Sequence, residues 1–300
     1  MSGTGVRRRA LGLIATLALS FAMLMGTADA VPAPMIGPAQ GDALHVMSYN
    51  LRFASNAKPN SWARRRPVMA ELLNRELPTL LGTQEGLYDQ LRDIDRDLPS
   101  YYEWIGIGRD GGTKDEFTAL FYDSRRLEAL ELHHFWLSDT PDVPGSMSWG
   151  NLVPRMVTWA RFRDLRTGRE FAGVNTHFDN HSEEAGIRSA YLVRTRIGEF
   201  APGLPVLLIG DFNDPATRSR SYHVLVTEGG FADSWTAARQ RLSPLYSTYH
   251  GYRGIRPGGS RIDWILTKGA TTSFAAINTF AADAQIPSDH FPIQALVTLA

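Results

Sequence analysis

Cysteine is absent from the 300-residue chain, and that excludes disulfides, thiol catalysis and thiolate metal sites outright. A surplus of either charge is absent as well: 31 Lys and Arg stand against 31 Asp and Glu. A protein that grips duplex DNA along its backbone usually carries a basic surface. The balance therefore leans against nonspecific duplex binding, although a local basic patch could hide in a balanced total. Long apolar runs are missing but for residues 11–25, short of the roughly 20 residues a membrane span needs. No internal repeat, low-complexity block or linker interrupts residues 43–300. What remains, 43% hydrophobic and 21% charged residues, is the composition of a globular protein with a substantial core.

The apolar run belongs to a targeting segment. Arg7, Arg8 and Arg9 precede it and Ala28-Asp29-Ala30 follows with a small-x-small pattern, so residues 1–30 read as a cleaved signal peptide. Residues 31–42, rich in Pro, Gly and Ala, read as a linker. The expected product is secreted, with no stable membrane insertion after cleavage. The consecutive arginines permit a twin-arginine route without matching it cleanly, so the export route stays open. Cleavage removes three Arg and one Asp, which leaves a net charge of about −2.

From residue 43 the chain alternates short apolar runs with amphipathic stretches. Strands are expected at 43–51, 78–85, 101–107, 117–123, 127–137, 155–165, 170–175, 206–209, 261–266, 273–279 and 291–298. Helices are expected at 62–77, 87–98, 183–200 and about 218–227. Many strands and few helices predict one α/β domain over 43–300, with two packed sheets and helices outside.

One stretch organises the rest. Residues 206–215 read V-L-L-I-G-D-F-N-D-P: a buried strand, then Gly210 for a tight turn, then Asp211 and Asn213 at the strand's C-terminal end. Side chains two apart share a face, so a carboxylate and an amide there can share one water or ligand. Taken alone, the stretch reads equally as a strand and an Asx turn. Other strands also end in polar groups: Asn50, Glu85, Asn175 with His177, and Asp263. Ser288-Asp289-His290 precedes the last strand. Oxygen-rich sets of this kind suit a hard cation, Mg²⁺ or else Mn²⁺ or Ca²⁺, better than zinc. Asp263 is unusual in its own right, because a carboxylate among apolar strand residues needs a partner, and His290 is the natural one. Arg109, in a Gly-rich loop, and Arg155, opening a strand, could each meet a substrate anion or be plain turn and strand residues. Asp179, Asn180 and His181 extend the Asn175–His177 group, or cap the helix at 183. His45, His133, His134, His223 and His250 match no motif.

The ordered set S-Y-N-L-R, T-Q-E, N-T-H, G-D-F-N, R-I-D-W and S-D-H-F-P resembles the endonuclease/exonuclease/phosphatase superfamily over nearly all of residues 43–300. The segment G-R-D-G-G-T-K-D-E-F-T-A-L-F-Y is similar to a bacterial subgroup of it. The resemblance implies a four-layer α/β/β/α sandwich of two packed mixed sheets with outer helices. It also implies hydrolysis of a phosphate ester by in-line attack of an activated water. Glu85 would then be the principal metal ligand, with Asn50 beside it and Asp289 completing the site. Asp211 and Asn213 would hold the water; His290, oriented by Asp263, would meet the phosphate or accept a proton. His177 would contact a nonbridging oxygen or assist the leaving group, with Asn175, Arg109 and Arg155 on the substrate side. A small phosphorylated metabolite is the expected substrate. A secreted nuclease comes second, a sphingomyelinase-like phospholipase third, and a phosphate-binding module without catalysis is the alternative class.

Overall fold

Strand alternation sends successive side chains to opposite faces, and here it builds two mixed sheets that share one core. The computed structural model describes Met1, Ser2 and residues 33–300, so all but the first two residues of the segment expected to be cleaved lie outside the described residues. The chain divides into Met1–Ala33 and Pro34–Ala300, and the second unit holds every strand and helix described.

In chain order these are β1 (Leu44–Asn50), α1 (Trp62–Glu76), β2 (Leu80–Leu87), α2 (Tyr88–Asp97), β3 (Tyr102–Ile105), β4 (Glu116–Asp123), β5 (Leu127–Trp136) and β6 (Met156–Asp164). There follow β7 (Glu170–His177), α3 (Glu183–Phe200), β8 (Val206–Asp211), β9 (Ala232–Asp233), β10 (Gln240–Arg241), β11 (Asp263–Lys268), β12 (Ala270–Ile277) and β13 (Ile293–Leu299). One sheet runs β10-β12-β13-β1-β2-β4-β3, the other β5-β6-β7-β8-β11-β9. The β1–β2 and β7–β8 pairs are parallel and most others antiparallel.

Each strand's two parities serve two layers. Leu44, Val46, Leu207, Ile209 and Ile265 meet between the sheets. Met47, Tyr49 and Leu81 instead face Met69, Leu73 and Leu91 of the helices outside the first sheet. Val174, Leu208 and Trp264 face Ala190, Val193 and Ile197 of α3 outside the second. The result is the expected α/β/β/α sandwich. Asn50, Asn175, His177, Asp211 and Asp263 all occupy inner-face parity at one edge of it. Gly82 lets the sheets approach, since a Cβ there would lie 2.8 Å from Ile209 and 2.9 Å from Asn175.

Some boundaries differ from the expected ones. The strand expected to end at Glu85 runs on to Leu87, and the helix expected at 218–227 is one α-turn (Arg220–Tyr222) opening into a π-helical run (His223–Glu228). Gly210 stays in β8 and makes no turn; a Cβ there would meet the Thr176 carbonyl oxygen at 2.5 Å. Among the described residues no helix is long and apolar enough to cross a membrane.

The tether is partly bound to the domain. The Met35, Ile36 and Gly37 amides donate to the Glu76 carboxylate at 2.7, 3.1 and 3.0 Å. Beside it, His45 is fully buried and its Nδ1 lies 2.8 Å from Gly37 O and 3.2 Å from Glu76 O. Carbonyls only accept, so Nδ1 carries the proton, and Nε2 has no partner. Burial lowers the pKa to about 4, against the opposing charge of Glu76. The unfolded chain thus binds more protons than the folded one between the ordinary histidine range and pH 4, and stability falls as pH falls through that window. The expected loss is about 3 kcal/mol from this group. Urea midpoints at pH 7 and pH 4.5 check it, and His45→Gln should shrink the difference.

Candidate active site

Register places the catalytic candidates before any loop does. β8 and β11 are antiparallel with Asp211 opposite Asp263, so β11 starts, rather than ends, at the site. Phe212 N then bonds Ile262 O at 2.8 Å, which closes the ladder beyond the two carboxylates. Asp211 is 1% exposed. Its Oδ2 accepts from Asn50 Nδ2 at 2.9 Å and its Oδ1 from the Asn213 amide at 2.9 Å. Burial raises its pKa and the nearby Asp263 raises it further; His290 and the two hydrogen bonds oppose, and the carboxyl titrates at about 7.

His290 Nδ1 lies 3.0 Å from Asp263 Oδ2, and its Nε2 lies 3.7 Å from Asp211 Oδ2. Burial works against a charge on this ring, but Asp263 and Asp211 outweigh it and push the pKa up to about 10. The imidazole is therefore a cation at neutral pH.

His177, at the end of β7, is its electrostatic opposite. Arg155 Nη1 lies 3.0 and 3.1 Å from its two ring nitrogens, and Asn213 Nδ2 lies 3.1 Å from Nε2. Burial, then the charges of Arg155, His290 and Arg109, hold the pKa well below the ordinary histidine value. The ring is neutral and sits 3.6 Å from Asp211 Oδ2. Arg155 is held in turn by Asn180 Oδ1 at 3.2 Å and approaches Asp179 at 3.6 Å.

Glu85 reaches this cluster from the other sheet. The pairing of β2 with β4 shifts between Thr83 and Gly86, and Glu85 takes a left-handed φ of 63°, which turns its carboxylate into the cleft. There Oε1 accepts from Asn50 Nδ2 at 2.9 Å and Oε2 from the Phe53 amide at 3.3 Å. Ligating atoms of Glu85, His177 and Asp211 lie within 4.8 Å of one another, as do those of Asp211, Asp263 and His290. The second triple is explained by its own hydrogen bond. The first, with carboxylates from two sheets, fits a hard divalent cation.

Several expected residues sit differently. Asn213 lies beyond the strand with φ 52°, and its amide nitrogen holds His177 and Phe178 O, the latter at 3.0 Å. It positions a histidine, and its nitrogen and Asp211 Oδ2 approach the same His177 Nε2. Asn50 turns its nitrogen to both carboxylates while its Oδ1 accepts from Arg52 N at 2.9 Å, so it bridges Glu85 and Asp211 instead of offering an oxygen. Asp289 is outside both triples, with its Oδ2 paired to Arg52 at 3.0 Å. Asn175 is fully buried and saturated: Nδ2 donates to Thr83 O and Ala119 O, both at 2.8 Å, and Oδ1 accepts from Gln84 at 2.8 Å. It joins the two sheets and has no polar atom left for a substrate. Arg109 is near His177 but engaged by Asp115 at 2.7 Å and Glu116 at 2.9 Å.

Two residues escaped the sequence reading. Glu116 lines the small recess beside Arg109, Arg155 and His177, and burial, then the charge of Glu85, raises its pKa to about 7. Arg65 is fully buried, and all its N–H groups go to carbonyls: Asn60, Leu51, Pro287, Arg52 and Phe53, at 2.8 to 3.1 Å. Its only outward signal was an Arg-rich helix start.

Residues 47–290 match the model of the endonuclease/exonuclease/phosphatase family. An endonuclease/exonuclease/phosphatase structure from Bacteroides vulgatus superposes with a TM-score of 0.82 at 30% identity, over 87% of this chain and 100% of that one. A mannosyl-6-phosphatase of Bacteroides thetaiotaomicron gives 0.77 at 34% identity, over 85% of this chain and 100% of that one. The human Nocturnin catalytic domain with bound sulfate gives 0.69 at 15% identity, over 87% and 96%, a likeness of fold alone. A curated relative, an uncharacterized protein of Acanthamoeba polyphaga mimivirus, is 28% identical over 161 residues, 51% of this chain and 59% of that protein. The chain thus spans about three-fifths of that relative's length.

Proposed function

Because the chain belongs to the endonuclease/exonuclease/phosphatase family, we propose that it is a divalent-metal-dependent phosphoesterase acting on small phosphorylated metabolites, sugar phosphates first among them. The observation that carries this reading is the meeting of Glu85, His177 and Asp211 across two sheets. The likeness to a mannosyl-6-phosphatase supports the sugar-phosphate class. We further read residues 1–30 as an export segment, so that the enzyme works outside the cell.

Glu85 and Asp211 would hold the cation, with Asn50 spacing the two carboxylates. A bound divalent cation supplies charge neutralisation on phosphoryl oxygens and a more acidic water. Asp211, within 4 Å of both histidines, would take a proton from the attacking water. His290, cationic and locked by Asp263, donates to a nonbridging oxygen, where negative charge grows. His177, kept neutral by burial and then by the charge of Arg155, adds no charge to the site. Arg155 brings the positive field behind it.

Magnesium-loaded protein is expected to hydrolyse p-nitrophenyl phosphate or sugar phosphates, with loss of activity in EDTA and recovery on adding Mg²⁺ or Mn²⁺. A panel of sugar phosphates, nucleic acids and phospholipids ranks the substrates. If no ester in that panel is cleaved, the phosphoesterase reading fails.

A further inference from the structure

Zero net charge conceals a segregation. Between Asp233 and Asp263 the chain has no acidic residue, yet it carries Arg239, Arg241, Arg253, Arg256 and Arg261. This segment is a wall of the site. The His250 and Gly251 amides donate to Asp289 O at 2.9 and 3.1 Å, and Thr248 Oγ1 accepts from the Ile262 and Asp263 amides at 2.9 and 3.3 Å.

Arginines elsewhere in the domain are nearly all answered by carboxylates. Among the described residues, Arg218, Arg239, Arg241, Arg253 and Arg256 have no acidic partner, and outside this region only Arg64, Arg65 and Arg169 share that condition.

Three of the arginines line one cleft of about 350 Å³. Arg241 and Arg261 both place their guanidinium groups 5.7 Å from the Trp235 ring centroid, which brings like charges to one indole. The carboxylate beneath, Asp233, is taken by Arg261 and by the Tyr222 hydroxyl. Arg218 closes the cleft from the β8 side. It spends only Nη2, on Ser260 Oγ at 2.9 Å, and Arg241 spends only Nε, on Trp235 O at 2.9 Å. Their remaining N–H groups are free to bind. The cleft begins where Ala216 N bonds Arg261 O at 2.9 Å, two residues from Asp263, or about 7 Å along an extended strand. Arg261 is neutralised by Asp233, but no acidic residue lines the cleft, and two arginines with unspent planar donors make it an oxyanion receptor.

We propose that Arg218 and Arg241, beside Trp235 and over the Arg261–Asp233 pair, form a second oxyanion subsite for an additional phosphate or sulfate that the substrate carries away from the scissile group. This rests on the phosphoesterase reading for its substrate and on the cleft alone for its binding. It makes the preferred substrate a doubly anionic ester.

The test compares wild type with an Arg218→Gln/Arg241→Gln double variant. Both side chains are exposed, and p-nitrophenyl phosphate turnover and melting temperature serve as controls that should not move. Wild type should prefer hexose bisphosphates over matching monophosphates by about tenfold or more in kcat/KM, through KM, and the variant should lose the preference. Calorimetric titration with sulfate reads the subsite without turnover, and the variant should lose that binding too. If monophosphates are hydrolysed but neither the preference nor variant-sensitive sulfate binding exists, the subsite is overturned and the phosphoesterase reading stands. If nothing is hydrolysed while sulfate binding is lost in the variant, the subsite stands and the phosphoesterase reading falls. Sulfate binding with no preference for the second phosphate overturns the substrate-borne role in favour of a free anion.

Discussion

Replacement of Asp211 by asparagine is expected to slow phosphate-ester hydrolysis by about 10⁴-fold, most of it in kcat. The substitution is nearly isosteric, but both Asp211 oxygens accept hydrogen bonds, from Asn50 Nδ2 and from the Asn213 amide, so the new NH₂ faces a donor on one side, and a base and a cation ligand are lost together. The pH profile separates this from a general disturbance. In wild type, kcat/KM should fall as His290 loses its proton near pH 10. Asp211→Asn removes one of the charges that hold that proton, so this limb should move to lower pH. Its fold should not suffer. A carboxyl whose folded pKa lies above the unfolded value makes the folded state less stable above that unfolded value, and an amide is free of that penalty. Thermal stability at pH 8 close to wild type with activity nearly gone is the expected pair of results, because relief of the carboxylate penalty offsets one lost hydrogen bond. Activity within about tenfold of wild type would remove Asp211 from the base role.

Arg65→Leu is expected to cost about 3–5 kcal/mol of stability, because it strands several buried carbonyls at once. In a domain of this size that lowers the melting temperature by roughly 10 °C. Activity should fall further than stability explains. The carbonyls of Leu51, Arg52 and Phe53 follow Asn50, and Phe53 also supplies the amide that holds Glu85. Pro287 precedes the Ser288–His290 turn. One guanidinium therefore ties together the loops that carry candidates from both ends of the chain. Lysine has three donors on one nitrogen and cannot reproduce a planar fork of five, so Arg65→Lys should recover little. Differential scanning calorimetry and kcat of the surviving fold check both parts.

What could be read from the sequence was what periodicity and strand ends dictate. The helices at Trp62–Glu76 and Glu183–Phe200, the alternating strands and the inner-face parity of Asp211 and Asp263 all follow from side chains at fixed spacing. The two-residue strands β9 and β10 leave no period to detect. Asn175 shared a motif with His177 and so looked functional, but same-face neighbours two residues apart lie at different depths: one pins the core, the other reaches the cleft. Asp289 had every chemical qualification, and only geometry could reveal Arg52 beside it. Arg65 lay in a run of three arginines, and nothing in sequence distinguishes a buried arginine bound to carbonyls from its solvated neighbours.

Gln84 and Glu85 are adjacent, and the first fastens the two sheets through Asn175 while the second reaches out of them. The gap between Glu85 and Asp211 is therefore a gauge of fixed width, set by the thickness of the sandwich and not by loops that open and close. Such a gauge accepts any phosphoryl group and rejects none, so selection among esters passes to whatever hangs from the phosphate. Relatives could exchange the arginine-rich wall for another and change clientele without retooling the chemistry.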